Sequence, residues 1–288
     1  MTVFEKIMKP IVIPRRYNYI GAFLTFTCRY RCSYCINRFE ENLIRRKNRS
    51  GKDWVKGLNR LVSPPDLPVT LQGGEPSCHP DFIYIINHLK PELNVDILTN
   101  VDFDVKKFMA RVPPERLKRN APYASIRVSY HPEVMKLEET IEKVLKMLNK
   151  GYSIGIWGVI HPKQKDAILK AQEKCKNLGI DFRTKEFLGE YKGKLYGRYK
   201  YKRASSKKLK KTVKCRTTEL LIDSRGKIYR CHYDLYKGIN PIGYLLDPNF
   251  QIKDRFRECS NFGHCNPCDV KIKTNRFQVC GHTSVEIK

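Results

Sequence analysis

The chain has 288 residues, of which 41% are hydrophobic and 30% are charged, as expected for a water-soluble protein that can bury a full core. Its longest apolar stretch, residues 152–160, is too short to span a membrane, and residues 1–10 contain no apolar segment of the kind that a signal peptide needs. The 56 Lys and Arg against 29 Asp and Glu give a formal net charge of +27, which attracts anions in general but identifies no particular partner.

Short apolar runs alternate with amphipathic stretches through the first two thirds of the chain. The runs predict six strands, at 19–27, 69–72, 95–99, 124–129, 153–160 and 180–187. The amphipathic stretches predict helices at 53–62, 81–89, 104–111, 137–149 and 163–178. Strands separated by helices pair in parallel through right-handed crossovers. The alternation therefore predicts an α/β fold, a partial (β/α)6 barrel of the TIM type that occupies residues 1–187.

Three cysteines, Cys28, Cys32 and Cys35, lie within eight residues directly after the first predicted strand. At this density in an intracellular chain, thiols indicate a metal centre rather than disulfides. A closed iron–sulfur cluster takes four cysteines, so a loop with three leaves one iron open to a ligand from outside the protein. Parallel α/β folds bind ligands at the carboxyl ends of their strands, which is where this loop is predicted to lie.

The spacing Cys-x3-Cys-x2-Cys, with Tyr34 before the last cysteine, resembles the signature of the radical S-adenosylmethionine enzymes. The resemblance implies a [4Fe–4S] cluster whose open iron is chelated by the amino and carboxylate groups of S-adenosylmethionine. One electron then cleaves this cofactor to methionine and a 5′-deoxyadenosyl radical, which abstracts hydrogen from a substrate. A zinc ribbon is the alternative interpretation of the three thiols.

A second motif ends the second predicted strand, where Gln72 is followed by Gly73, Gly74, Glu75 and Pro76. Two adjacent glycines allow the backbone to approach a ligand closely. In this position the motif resembles the Gly-Gly-Glu-Pro motif of the same family, which binds the methionine amino group of the cofactor.

The resemblance extends to four further cofactor contacts, each on a single residue. It implies that Tyr34 contacts the adenine, and that Gln72 and Ser129 contact the ribose or the carboxylate. Asn100 is similar to the Asn of the family's Thr-Asn-Gly, although Val101 stands in place of the glycine. His131 departs from the common Ser-x-Asp-Gly pattern, and no catalytic residue is predicted outside the cofactor site.

Residues 188–214 carry eleven Lys and Arg against one Glu, with four tyrosines interleaved. Charge runs of this kind are typical of a solvated linker or hairpin. The alternative is a basic strip whose tyrosines stack on nucleic-acid bases or which clamps an acidic substrate.

The remaining segment, residues 215–288, is predicted to be a small cysteine-rich α+β domain. A β-hairpin with Gly226 at its turn places Cys215 near Cys231, and Cys265 and Cys268 add a tight pair. These four thiols suit either zinc or a four-iron cluster.

The spacing of those cysteines resembles the single-cluster form of the auxiliary (SPASM/Twitch-like) domain of radical enzymes, which implies a second [4Fe–4S] cluster. Cys259 or Cys280 are alternative ligands. Cys265, Cys268 and Cys280 also resemble a three-thiol pattern of the molybdopterin-precursor cyclase, but that enzyme ends in Gly-Gly and this chain ends in Ile287 and Lys288.

The combined prediction is a cytoplasmic radical enzyme whose auxiliary cluster transfers electrons, since eleven cysteines indicate a reducing compartment. The resemblance implies a small electron donor of the flavodoxin or ferredoxin type and a peptide, sugar or nucleotide substrate. The positive charge favours an acidic peptide or a phosphorylated molecule. The alternative is a basic nucleic-acid-binding protein that uses zinc or clusters structurally and catalyses nothing.

Overall fold

A computed structural model of the chain describes residues 8–38 and 47–288. Residues 1–7, part of the N-terminal segment that was predicted to lack a signal peptide, lie outside the described residues. No helix in the described ranges combines the length and apolar character that crossing a bilayer requires.

The described residues form sixteen strands and seven α-helices. The strands are β1 (Ile11–Val12), β2 (Tyr19–Thr25), β3 (Leu61–Val62), β4 (Val69–Gly73), β5 (Val95–Thr99), β6 (Ile126–Tyr130), β7 (Ile154–Ile160), β8 (Phe182–Glu186), β9 (Gly189–Tyr191), β10 (Lys194–Tyr196), β11 (Lys211–Thr217), β12 (Glu219–Ile222), β13 (Lys227–Tyr229), β14 (Gly243–Tyr244), β15 (Arg257–Phe262) and β16 (Val285–Ile287). The helices are α1 (Gly51–Leu58), α2 (Phe82–His88), α3 (Val105–Met109), α4 (Leu137–Asn149), α5 (Lys165–Asn177), α6 (His232–Lys237) and α7 (Pro267–Val270).

One nine-stranded sheet carries the fold, in the order β14-β13-β12-β2-β4-β5-β6-β7-β8. The stretch from β12 to β8 is parallel throughout, and six of its strands are the six predicted from the sequence. The predicted partial barrel is therefore confirmed. Three strands of the cysteine-rich tail extend the same sheet, with Gly226 in the left-handed region (φ 79°) at the turn between β12 and β13.

The two faces of the barrel strands differ in character because successive side chains point to opposite sides. The outward face is apolar and packs on the helices, as Ile97 and Val128 do. Below the cavity described next, Asp96 is fully buried and accepts hydrogen bonds from Arg119 (2.7 Å) and Arg127 (3.3 Å). These ion pairs satisfy the buried carboxylate near the amino end of β5, and the cavity lies at the opposite end of the strands.

A smaller core belongs to the tail. Strand β11 pairs antiparallel with both β15 and β16, and Phe262, Val270 and Val285 form a separate apolar cluster. Tyr199 and Tyr201 of the basic segment pack against this cluster, while β9 and β10 form a hairpin. The division of the chain at residues 188 and 215 remains a prediction.

Candidate functional site

A cavity of about 330 Å³ opens at the carboxyl ends of the parallel strands, where parallel α/β folds bind their ligands. The structure brings together in its wall all ten residues predicted for the cofactor site and its cluster: Cys28, Cys32, Tyr34, Cys35, Gln72, Gly73, Gly74, Glu75, Asn100 and Ser129.

The cysteine loop presents its thiols to this cavity from a tight turn, in which the Cys35 amide donates to the Cys32 carbonyl at 3.2 Å. Burial raises the pKa of Cys28 to about 11 and that of Cys32 to about 12. Both thiols are therefore protonated at neutral pH without a metal, and metal binding has to displace their protons. Asn100 points its side-chain amide at Cys28, with 3.6 Å between Nδ2 and Sγ.

A carboxylate that the sequence analysis missed, Glu133, clamps the same loop from the end of β6. It accepts hydrogen bonds from the amide and the hydroxyl of Ser33 (2.9 Å from the hydroxyl) and from Gln164 Nε2 (3.1 Å). Glu133 lies 100 residues from Ser33 in the chain, so only the meeting of two strand ends reveals the contact.

Replacing Glu133 with alanine is expected to speed the loss of the cluster predicted for this loop several-fold, because the loop loses two of its anchors. The fold should survive, since Glu133 is exposed. The decay of the cluster's visible absorbance in the presence of an iron chelator measures the rate. Glu138→Ala is the matched control, because it removes an exposed carboxylate that pairs with Lys174 away from the loop; equal decay rates in both variants would contradict the clamp.

The two glycines of the second motif lie against the backbone at the end of β2 and just after it, where a side chain would clash. A Cβ on Gly73, whose φ is 149°, would lie 1.9 Å from the Thr25 carbonyl oxygen, and one on Gly74 would lie 2.4 Å from that of Phe26. The Gly74 amide donates to the Thr25 carbonyl at 2.8 Å. The motif therefore holds the start of the cysteine loop against the end of β4.

Glu75 is 1% exposed and ties the motif to the next strand. Its carboxylate accepts hydrogen bonds from the Thr99 hydroxyl (2.8 Å) and the Asn100 amide (2.7 Å). Burial raises its pKa above the ordinary value, while these hydrogen bonds oppose the shift. Val101, at the position where the resemblance predicts a glycine, adopts a left-handed backbone with φ 57°, a conformation that is uncommon for a β-branched residue.

Gln72 supplies the clearest sign that the cavity is built for a polar ligand. Its side-chain nitrogen Nε2 is buried without a hydrogen-bond partner, and the residue lines the cavity. A buried donor without an acceptor costs about 1–3 kcal/mol, and an acceptor on a bound ligand would remove that cost. The orphaned donor thus fits a cofactor that carries carboxylate or hydroxyl oxygens.

Tyr34 of the cysteine loop packs against the rings of His131 and His161. Its hydroxyl lies 2.9 Å from Nδ1 of His131, and its ring stacks on that of His161 with 4.9 Å between centroids. Burial lowers the pKa of His131 to about 4, so this imidazole is neutral at pH 7. His131 thus lies in the cavity and fixes the orientation of Tyr34.

Two lysines line the far wall of the cavity, a feature that the sequence analysis did not identify. Lys185 at the end of β8 and Lys271 after α7 both line it, next to Cys268. Although water in the cavity reaches the Lys185 side chain, enclosure by the barrel together with the charges of Arg127 and Lys271 lowers its pKa to about 7. The position of Lys185 at the carboxyl end of the sixth predicted strand was the available signal.

A second, smaller cavity lies in the tail and is lined by four thiols, those of Cys215, Cys231, Cys259 and Cys265. The structure thus brings together three of the four predicted auxiliary cysteines and adds Cys259 to them. It places the fourth, Cys268, in the wall of the larger cavity.

Three cysteines remain outside those groups. Cys78 follows the glycine motif, is partly buried and lines neither cavity. Cys280 is exposed and lines neither cavity. Cys175 is fully buried in α5, where it packs in the main core.

Comparison with known proteins gives matches of two kinds. The model of a family described as the Radical SAM superfamily matches residues 23–188, more than half of the chain. Two curated relatives are both named GTP 3′,8-cyclase. The one from Aliarcobacter butzleri is 24% identical over 62% of this chain and 58% of its own length. The one from Nautilia profundicola is 24% identical over 60% and 57%. The chain therefore spans under three fifths of these relatives.

Solved structures show the same fold at low sequence identity. Streptococcus suis SuiB bound to precursor peptide SuiA superposes with a TM-score of 0.55 at 15% identity, over 84% of this chain and 64% of that one. Native anSMEcpe with bound AdoMet and Kp18Cys peptide gives a TM-score of 0.54 at 12% identity, over 83% and 78%.

Proposed function

The chain belongs to the radical S-adenosylmethionine superfamily, and from that membership we propose that it cleaves S-adenosylmethionine reductively at a [4Fe–4S] cluster held by Cys28, Cys32 and Cys35. Members of this superfamily are enzymes that use such a cluster with S-adenosylmethionine. When bound, the cluster and the cofactor together supply a 5′-deoxyadenosyl radical that abstracts hydrogen from the substrate. The observation that carries the proposal is the single cavity in which the three cysteines meet the glycine motif.

The protein's own side chains would bind and orient the cofactor. The unpaired Nε2 of Gln72 offers a donor to a ribose or carboxylate oxygen. Tyr34, held by His131, presents a ring for the adenine. Asn100 and Ser129 line the same cavity, and Glu75 keeps the ends of β4 and β5 in fixed relation. Each of these roles is part of the proposal.

The non-catalytic alternative, a basic nucleic-acid-binding protein, receives less support. Of the tyrosines in the basic segment, Tyr191 packs on His161 and Tyr196 on Phe187, and Tyr199 and Tyr201 pack against the small core. These rings are engaged within the protein rather than arrayed as a platform for bases. In the described part of the chain no three His, Cys, Asp or Glu side chains converge closely enough to hold a single metal ion; a four-iron cluster does not require that convergence.

We propose an anionic substrate, either a phosphorylated molecule or an acidic peptide. The support is the pair Lys185 and Lys271 in the cavity wall and the net charge of +27. An anion bound beside Lys185 would favour its protonated form. The names of the similar proteins are divided between a nucleotide cyclase and enzymes with bound peptides. Both kinds of substrate can carry negative charge, so the wall suits either.

Electrons would come from a small flavodoxin- or ferredoxin-type donor in a reducing cytoplasm, since all eleven cysteines are free thiols. The tail thiols would hold a second [4Fe–4S] cluster. Ligation by four cysteines leaves no open iron, so that cluster would transfer electrons to or from the substrate rather than bind it.

The test is anaerobic reconstitution of the full chain with ferrous iron and sulfide, followed by addition of S-adenosylmethionine and dithionite. We expect 5′-deoxyadenosine and methionine in equal amounts, detected by liquid chromatography and mass spectrometry. A reconstituted protein that has the absorbance of a [4Fe–4S] cluster but forms neither product would overturn the proposal.

A further inference from the structure

We propose that the auxiliary cluster is held by Cys215, Cys231, Cys259 and Cys265, and that Cys268 belongs to the substrate cavity. The inference rests on the proposed auxiliary cluster and assigns its ligands. The spacing Cys-x2-Cys predicts that Cys265 and Cys268 are both ligands of the cluster, and this assignment differs from that prediction for Cys268.

The antiparallel pairing of β11 and β15 brings the first two thiols together. Val213 is the register partner of Cys259, and Cys215 is that of Arg257. Cys215 and Cys259 are thus diagonal neighbours on one face of the sheet, where side chains are within reach of each other. Both side chains line the same small cavity.

The other two thiols enter the cavity from the flanking helices. Cys231 is the N-cap of α6, and its sulfur accepts the Asp234 amide at 3.5 Å. Cys265 precedes α7, and its amide donates to the Ala204 carbonyl at 2.8 Å. With Cys215 and Cys259 from the sheet, all four thiols line this one cavity.

The backbone at the start of α7 places the Cys268 thiol in the larger cavity, apart from the four thiols of the smaller cavity. Asn266, its N-cap, is extended and accepts the Cys268 amide at 2.9 Å, and the Cys268 carbonyl accepts the Ser284 hydroxyl at 3.1 Å. These bonds fix the backbone so that the thiol lines the larger cavity beside Lys185 and Tyr236. Its electrostatic neighbours are charged side chains such as Lys271 and Asp269.

The chemistry of the site follows from the four thiols. On uptake of a [4Fe–4S] cluster each thiol releases its proton to solvent and forms one iron–sulfur bond, with no change in oxidation state. All four irons are then ligated by protein, which is the arrangement for electron transfer.

The experiment isolates the auxiliary site by replacing Cys28, Cys32 and Cys35 with alanine in the full chain. Into this background we introduce Cys259→Ala or Cys268→Ala and reconstitute with ferrous iron and sulfide. Bound iron and the electron paramagnetic resonance spectrum of the reduced protein are the readouts. We expect Cys259→Ala to lose most of its iron and its signal. Cys268→Ala and the exposed control Cys280→Ala should keep both unchanged.

Two checks accompany this experiment. Far-ultraviolet circular dichroism shows whether Cys259→Ala is folded, and Cys259→Ser, which keeps the size of the side chain, should shift the spectrum if it retains a cluster. Loss of iron in Cys268→Ala with retention in Cys259→Ala would overturn the assignment, as would retention in both. A background that takes up no cluster would overturn the auxiliary cluster altogether, whereas cleavage of S-adenosylmethionine by the unaltered protein would still stand.

Discussion

Replacing Cys32 with alanine is expected to reduce 5′-deoxyadenosine formation to the background seen without enzyme. Cys32 is the most buried of the three thiols at 6% exposure, and the loop offers no fourth cysteine to replace it. Two thiolates cannot hold a cluster that leaves only one iron open. The loss should appear as missing product and as less iron per chain, while the absorbance of the proposed auxiliary cluster remains.

Cys175→Ala is the matched control, since Cys175 is also buried but packs in the main core and lines neither cavity. It should lose some stability and keep its activity. Product formation by the Cys32 variant at a rate near that of the unaltered protein would show that the cluster is held elsewhere.

Gly73→Ala is also expected to have a severe effect on cluster incorporation, although it removes no cysteine. The new Cβ would lie 1.9 Å from the Thr25 carbonyl oxygen, with φ at 149°, a region essentially restricted to glycine. The backbone strain alone costs about 1–3 kcal/mol, and relief of the clash has to move the end of β2 and with it the cysteine loop. We therefore expect a lower free energy of unfolding together with poor cluster incorporation.

Urea denaturation of the cluster-free protein and iron analysis after reconstitution measure the two effects. Gly151→Ala provides the control, because Gly151 also has a positive φ, 86°, but nothing lies within 4 Å of its Cβ position. That variant should lose roughly 1–2 kcal/mol and incorporate iron normally. Equal iron contents in the two variants would show that the glycine motif does not position the loop.

Much of the architecture was readable from local patterns. The predicted helix at 137–149 coincides with α4. A helix with one apolar face has apolar residues at helical spacing, and this pattern is visible in the sequence. The strand at 95–99 coincides with β5. Placement of the cysteine loop at a strand's carboxyl end follows from order along the chain alone, since a loop that follows a parallel strand must begin there.

Contacts between residues that are far apart in the sequence could not be predicted in this way. Glu133 contacts Ser33, and Lys185 faces Cys268, over separations of 100 and 83 residues. Such contacts depend on which strand ends are neighbours in the barrel, and the spacing of apolar residues within one segment does not show this.

The sequence by itself determined the family, the partial barrel and the cavity that joins three cysteines to a glycine motif, because these depend on spacing and on the order of elements. Only the tertiary structure decided which thiols of the tail face one another. The direction of a side chain depends on the local backbone: the pairing of β11 with β15 turns Cys259 toward Cys215, and the first turn of α7 points Cys268 into the barrel.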